Sequence, residues 1–456
     1  MVFDNLGNIA GSHYIEYDLV FTNEGVEQDA ELWWEHAKTA LKAAIASANI
    51  NGRDVKAIAV ASQGIASVPV DKEGSPLARA ISWYDSRAEK EAAEIASNYG
   101  DDYLFETTGR HASSLFFPQV LHLKRNNPAL YEKAAFFLMA HDYIVFRLCG
   151  EAVTDYTMAS GTLCFDTGSR QWLGEMFERY GIDRTKFPAV KPFGSAAGTI
   201  QPQVARELGL GEDTVIGVGM QDQKAAALGA GITYGVLTLS LGTASAISQL
   251  TPKKLVDKKG RLNCHAFDGK HWIMENYVGA SGSSLKWLRN ALFPGISYSE
   301  LDTLAAQCKP GAGGLLFVPG LEEKQGSFHG ISLTTTSGDM VRAVLEGIAY
   351  AVKSCVEIQT ELGACSELRV FGGGASELWS RILADIVGVP VTLPRTKETS
   401  NLGAAICAGL ALGVFPDEEA IAAFAGGIRQ RYEPDHSHAK IYEEGYQKFC
   451  AFCKTK

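Results

Sequence analysis

No run of apolar residues in the chain approaches the roughly 18 needed to cross a bilayer, so no membrane span is expected. The opening stretch, MVFDNLGN, carries neither a basic segment nor an apolar one, and no secretory signal is read there. Positive charge is in deficit. The formal net charge of −10 disfavours nucleic acid and anionic membranes as partners. The nine cysteines are odd in number and scattered. That does not make a disulfide framework, and it suits a reducing, cytoplasmic compartment. Cys450 and Cys453 form one CxxC with no second pair to complete a metal site, and they read as incidental thiols on a terminal helix. There is no HExxH, and His111, His122, His141 and His265 show no ligand spacing, so they read as structural or surface residues and no metal ligands are assigned. A GxxxxGK[ST] motif is absent, which disfavours a P-loop nucleotidase. Gly217-Val218-Gly219 runs into Met220-Gln221-Asp222 rather than completing GxGxxG, which disfavours a dinucleotide site.

What is present is an ordinary globular balance, 46% hydrophobic and 21% charged over 456 residues, enough for two or three domains. Short apolar, β-rich segments alternate with amphipathic helical ones, the pattern of an α/β protein. Residues 1–17 read as two strands around an Asp-Asn-Leu-Gly-Asn turn. Asp29 caps a helix through Leu32, Trp33, Ala37, Leu41 and Ala44. Residues 55–62 and 215–219 read as buried strands, and 224–230 as a helix. The pattern then restarts: a strand over 236–240, a turn at Leu241-Gly242-Thr243, a second strand over 244–250. A domain boundary is therefore expected near residues 232–236. A further strand, 368–371, ends in Gly372-Gly373-Gly374 and precedes a helix over 378–387. The tail, about 412–456, reads as helical and charged.

Three segments carry chemistry. Phosphate oxygens need backbone N–H groups aimed at them, and residues without Cβ let the backbone come close. Gly242 and Thr243 offer this at a hairpin tip. Gly372, Gly373 and Gly374 offer it between a strand and a helix N-terminus. Asp222 follows a buried strand at the start of a helix, a place for a general base, although a plain helix cap would look the same. Ile81-Ser82-Trp83-Tyr84-Asp85-Ser86-Arg87 combines a carboxylate, a guanidinium and an aromatic face, the mixture that binds polyols and also the mixture of a salt-bridged surface turn.

In this order the segments resemble the FGGY carbohydrate kinases, nearest to xylulokinase-type members, over residues 1 to about 445. The strongest match is Gly326-Ser327-Phe328-His329-Gly330-Ile331, then seven residues, then Asp339-Met340-Val341-Arg342-Ala343-Val344-Leu345-Glu346, which is similar to the family's second signature. VEQDAELWW (26–34), ISWYDSRA (81–88), TDYTMASGTLCFD (154–166), GMQDQKAAALGAG (219–231), LSLGTASAI (239–247), SGSSLKWL (281–288) and FGGGASELWSRILADIVGVPV (371–391) agree as well. The resemblance implies two ribonuclease-H-like (actin-like ATPase) domains with a cleft between them, residues 1–233 for sugar and 234–456, with a helical tail, for ATP and Mg²⁺. It implies Asp222 as catalytic base, Asp85 and Arg87 with Gln63, Trp83 and Gln223 as substrate contacts, and Gly242, Thr243, Gly282, Gly372, Gly373 and Gly374 as nucleotide contacts. The implied reaction is ATP-dependent phosphorylation of a hydroxyl of a small sugar or polyol, a pentulose such as xylulose being favoured. The alternative is a non-catalytic nucleotide-binding or regulatory protein of the same fold. A homodimer is compatible with either.

Three departures from the family pattern are visible. The family's opening strand and its Asp-x-Gly-Thr turn would precede Val2-Phe3-Asp4, so the first strand is expected to be missing, through a late start or a natural truncation. After the first buried strand xylulokinases carry Met-His and glycerol kinases Arg-Glu. Here Gly64-Ile65 supplies no side-chain hydrogen bond, which points to a shifted sugar preference. In the first signature Gln119 stands where Lys is usual, and the segment GLEEKQG (320–326) is short.

Overall fold

Each apolar run marked above forms a strand, and where each strand stops decides where the polar residues beyond it stand. The computed structural model describes residues 1–320 and 325–454, so most of the short segment GLEEKQG lies outside the described residues. The chain packs as two compact units. Unit 1 holds Met1–Gly229, Thr251–Ile273 and Ser400–Gly426; unit 2 holds Ala230–Leu250, Met274–Thr399 and the chain from Gly427 onward. The chain therefore exchanges units several times, beyond the single switch expected near 232–236. The helix Thr399–Leu412 shows why. Its Gly403 lies against the Ala225 carbonyl, and its Leu402 and Ile406 are wholly buried with Phe424, so unit 1 draws this late segment into its own core.

In unit 1, strand β1 (Ala57–Ser62) runs parallel to β3 (Val215–Gln221), and β2 (Ala196–Thr199) lies antiparallel on the other side of β3. β3 is the central strand, with Ile216 and Val218 fully buried beneath helices α1 (Ala30–Ser47) and α2 (Ala140–Cys149). Asp29 caps α1 by accepting from the Glu31 and Leu32 amides, as the sequence predicts. The expected N-terminal hairpin is also present, Val2–Phe3 pairing with Ile9–Gly11 around a turn held by the Asp4 carboxylate. β1 has β3 as its one described partner, and all six of its residues are half-buried.

The ladder between β1 and β3 is irregular between Gly217 and Met220. There the Gly219 N–H donates to His141 Nε2 at 3.0 Å, while His141 Nδ1 faces Asp142 Oδ1 at 2.9 Å. An accepting Nε2 requires a protonated Nδ1, so Asp142 fixes the tautomer. Asp142 also takes the Met139 amide, and both side chains are wholly buried. Only glycine fits at 219, because a Cβ would stand 1.9 Å from the Val60 carbonyl oxygen. Two residues on, the Gln221 N–H donates to Thr157 Oγ1 at 3.0 Å, on the short helix Tyr156–Ala159 that Asp155 caps.

Unit 2 is built on a sheet in which six strands lie in the order β6-β5-β4-β7-β8-β9: β4 (Val236–Ser240), β5 (Ser245–Thr251), β6 (Trp272–Val278), β7 (Glu367–Phe371), β8 (Val391–Pro394) and β9 (Ile428–Tyr432). β4, β7 and β8 are mutually parallel, β5 is antiparallel to β4, and β9 is antiparallel to β8. Helix α5 (Ser337–Thr360), opened by a Thr336–Asp339 capping box, carries the second half of the signature. Its Arg342 and Glu346 form a buried pair that also engages the Ala305 and Cys308 carbonyls, the Gly311 amide and the Tyr442 hydroxyl. In this chain those signature residues tie helices together. One expectation is corrected: the tail is not all helix, because Ile428–Tyr432 is an edge strand. Its Ile-Arg-Gln-Arg sequence, exposed along its length, carries no apolar alternation to mark it.

Burial pushes the Asp155 carboxyl up to about 6, against the opposing pull of nearby His141 and of the Met158 and Thr157 amides. Its folded value lies above the unfolded one. The stability it contributes is therefore complete below the ordinary carboxylate value of 3.8 and lost as pH rises through about 6. Asp155→Asn removes the charge and keeps one of the two oxygens that accept the Thr157 and Met158 amides, a loss that does not vary with pH. Compared by urea unfolding, the variant gains on the wild type by about 1–3 kcal/mol between pH 4 and pH 8.

Candidate active site

In unit 1 the parallel pairing of β1 and β3 ends with Ser62 opposite Gln221. Gln63 and Gly64 therefore leave one strand beside the point where Gln221 and Asp222 leave the other. Asp222 opens helix α3 (Asp222–Gly229), and its Oδ1 accepts from the Gln223 amide at 2.7 Å. Ser400 Oγ holds the Asp222 carbonyl at 3.2 Å. Asp222 and Gln223 are half-buried, and Lys224 is fully buried.

Gln63 and Gln28 exchange amide hydrogen bonds of 2.6 and 3.2 Å. Gln28 ends the strand Val26–Gln28, whose Glu27 carboxylate accepts from Arg87 Nη2 at 3.1 Å. The Asp85 carboxylate is saturated: it accepts from the Val26 amide, the Arg87 amide, Arg87 Nε and Arg87 Nη2 at 2.6–2.9 Å. Burial raises the Asp85 pKa, but the Arg87 guanidinium and the two amides outweigh it and hold the carboxyl below its ordinary value. Arg87 thus bonds both Asp85 and Glu27, and the next residue on that strand, Gln28, bonds Gln63. Trp83 lies on the same turn, 47% exposed and edge-on to Tyr84. Gln119 is buried and neutral in its bonds, donating to the Ser82 carbonyl and accepting from Ser67 Oγ, so this chain has no need of the usual Lys there.

Two features of this region carried no sequence signal. Ile65 has φ +40°, a strained value for a β-branched residue. Gln221 packs its side chain over Gly64. The first depends on a backbone angle, and the second on two strands distant in sequence meeting in register, shown by the Ile58–Ile216 and Ser62–Gln221 pairs.

In unit 2 the parallel neighbours β4 and β7 end together, Ser240 opposite Phe371, so both glycine turns emerge side by side. The Leu241 N–H donates to the Phe371 carbonyl, and the Gly374 N–H donates to the Leu241 carbonyl. Gly242 and Thr243 are exposed at the tip, and a Cβ on Gly373 would meet nothing within 4 Å. The tip is pinned from behind by the start of helix α4 (Gly282–Leu292). The Gly282 amide donates to the Gly242 carbonyl at 3.0 Å, the Ser281 and Ser283 amides to the Thr243 carbonyl at 3.2 and 3.1 Å, and Ser281 Oγ to the Gly242 carbonyl at 3.1 Å. A Cβ on Gly282 would stand 2.3 Å from the Gly242 oxygen. Two backbone turns with open faces and an exposed threonine hydroxyl fit a nucleotide's phosphate chain. Among the described residues no group of three or more His, Cys, Asp or Glu side chains could hold a metal ion.

Two family models match the chain: the N-terminal domain of the FGGY family of carbohydrate kinases over residues 1–229, and the C-terminal domain of the same family over 237–412. The chain belongs to the FGGY family of carbohydrate kinases. It is 30% identical to a xylulose kinase of Staphylococcus epidermidis, over 99% of this chain and 93% of the relative. It is 31% identical to a glycerol kinase of Thermococcus kodakarensis, over 92% and 88%. The solved structure of Plasmodium falciparum glycerol kinase with ADP superposes with a TM-score of 0.87 at 22% identity, covering 98% of this chain and 94% of that one. The FGGY kinase fold, with its actin-like, ribonuclease-H-like α/β architecture, is thus present, and the protein is a carbohydrate kinase. Among the described residues no helix is long and apolar enough to cross a membrane.

Gly282→Ala is expected to push the Gly242 tip out of place. Steady-state kinetics should show the KM for ATP rising by about 10- to 100-fold, with the KM for the acceptor little changed.

Proposed function

We propose that this FGGY kinase transfers the γ-phosphate of ATP to a hydroxyl of a small sugar or polyol, a pentulose such as xylulose before others, with Asp222 as the base. The observation that carries the reading is the position of Asp222. It stands at the end of a buried strand, on a backbone held from behind by Thr157, Ser400 and the His141–Asp142 pair. The proton of the attacking hydroxyl passes to the Asp222 carboxylate. The oxygen–phosphorus bond to the acceptor forms as the bond between the γ-phosphorus and its bridging oxygen breaks, and ADP departs. Arg87, Trp83, Gln63 and Gln223 orient the acceptor, on residues 1–233. Asp85 takes part by fixing Arg87, since its own oxygens already accept from protein donors. Gly242, Thr243, Gly282 and the triple glycine 372–374 hold the nucleotide, on residues 234–456. Magnesium, bound with the nucleotide, would neutralise phosphate charge.

The test is acceptor-dependent ADP release with D-xylulose, glycerol and D-gluconate. Turnover is expected to be highest with xylulose. Asp222→Asn is expected to lower kcat by about 10²–10⁴-fold with the fold intact by circular dichroism. Unchanged turnover in that variant rejects Asp222 as base, and ADP release independent of all three acceptors rejects the substrate class.

A further inference from the structure

The residues after β1 leave a gap in hydrogen bonding that another residue is placed to fill. Ile65 turns its side chain into the unit 1 core, 6% exposed, and is held at φ +40°. Its Cδ1 occupies the space beside Gly161, 2.2 Å from where a Cβ there would stand. A strained backbone of this kind persists only where its surroundings enforce it. The consequence is that Gly64 presents a bare backbone toward Gln221. A Cβ on Gly64 would stand 3.2 Å from Gln221 Nε2, 3.5 Å from its Cγ and 3.8 Å from its Cδ. The Gln221 side chain thus takes the space that a side chain at position 64 would fill.

Gln221 is well fixed for a recognition role. Its backbone is tied to Thr157 Oγ1, and its neighbour in sequence is Asp222. Its Oε1 is enclosed and has no hydrogen-bond partner among the described residues. A buried acceptor left without a donor is costly, and most are satisfied by protein, water or ligand. The terminal torsion of a glutamine is soft, so the amide can swing to offer either its oxygen or its NH₂.

We propose that Gln221 is the specificity-determining residue of the acceptor site. Its amide reads a second hydroxyl or carbonyl of a neutral polyhydroxy acceptor, beside the hydroxyl that Asp222 deprotonates, and so replaces the contact that Gly64-Ile65 cannot make. This rests on the reading of Asp222 as base. An uncharged amide suits a neutral acceptor better than a sugar acid, since a carboxylate calls for a cation and the charge of Arg87 is already matched by Asp85 and Glu27.

The experiment compares wild type, Gln221→Met, Gly64→Ala and the double variant. The acceptor is whichever of xylulose, glycerol and gluconate is turned over best, used with its singly deoxygenated analogues. Wild type is expected to lose about 10-fold in kcat/KM on one analogue. Gln221→Met should raise the acceptor KM by a similar factor, lose discrimination against that analogue, and leave the KM for ATP unchanged. Gly64→Ala displaces the amide without removing a hydrogen-bonding group. It should raise the acceptor KM several-fold in the wild type and not at all in the Gln221→Met background. Discrimination that persists in Gln221→Met, additive effects in the double variant, or gluconate as the best acceptor each overturns the assignment. Should Gln221→Met fail to fold, Gly64→Ala decides alone: an unchanged acceptor KM overturns it. Asp222→Asn keeps the two readings apart, because its loss of turnover beside unaltered discrimination in Gln221→Met rejects the specificity assignment only.

Discussion

The hydrogen bond from the Gly219 amide to the buried His141 ring sets how β3 ends beside β1 in unit 1. It engages one N–H of β3 where the ladder with β1 shifts register, between Gly217 and Met220. Past that shift Gln221 pairs with Ser62, so Gln221 and Asp222 leave the sheet beside Gln63 and Gly64. Asp142 keeps the imidazole in the tautomer that can accept. Glycine at 219 is the only residue that lets the strand approach Val60 closely enough. Three residue types that look unrelated in the sequence thus serve one geometry, and all are remote from solvent.

Unit 2 uses a different principle at its strand ends. No side chain dominates it; backbone does. Two parallel neighbours end level, their glycine turns bond to one another through Leu241, and the helix starting at Gly282 spends its first amides on the carbonyls of the hairpin tip. Those amides cap the helix against the turn. Rigidity in the turn then comes from carbonyl contacts on its inner side, while Gly242, Thr243 and Gly373 stay open on the outer one.

Much of this was legible in the sequence. Apolar runs marked β1, β3, β4 and β7 to within about two residues, and Asp29 and the hairpin at Asp4 carried local turn and cap chemistry that needs no tertiary context. Asp222 and the glycine turns stood out for the same reason: they punctuate strong strands. What escaped was whatever depends on distant partners. The strand Ile428–Tyr432 is made by pairing with β8, against a sequence rich in arginine. The pull of Ser400–Gly426 into unit 1 follows from packing with Phe3 and Leu228, which lie far away in sequence. Ile65 reveals its strain only through a backbone angle, and Gln221 its position only through register. Asp85 shows the converse: it was legible as a polar residue in a recognition turn, but its four protein donors make it a support for Arg87.

The two ends of the strand systems are finished in contrasting ways. β9 closes its sheet with Arg429 and Arg431 on exposed positions, and charge along an edge repels an incoming strand. β1 ends the sheet of unit 1 with Ala-Ile-Ala-Val-Ala-Ser, half-buried and without a charge. The Lys56 carbonyl faces β3, so by alternation the main-chain groups of Ala57, Ala59 and Ala61 face away from it. Among the described residues the two edges thus differ in kind: one carries charge that opposes strand addition, and the other is uncharged, so a lysine on β1 would make its edge resemble that of β9.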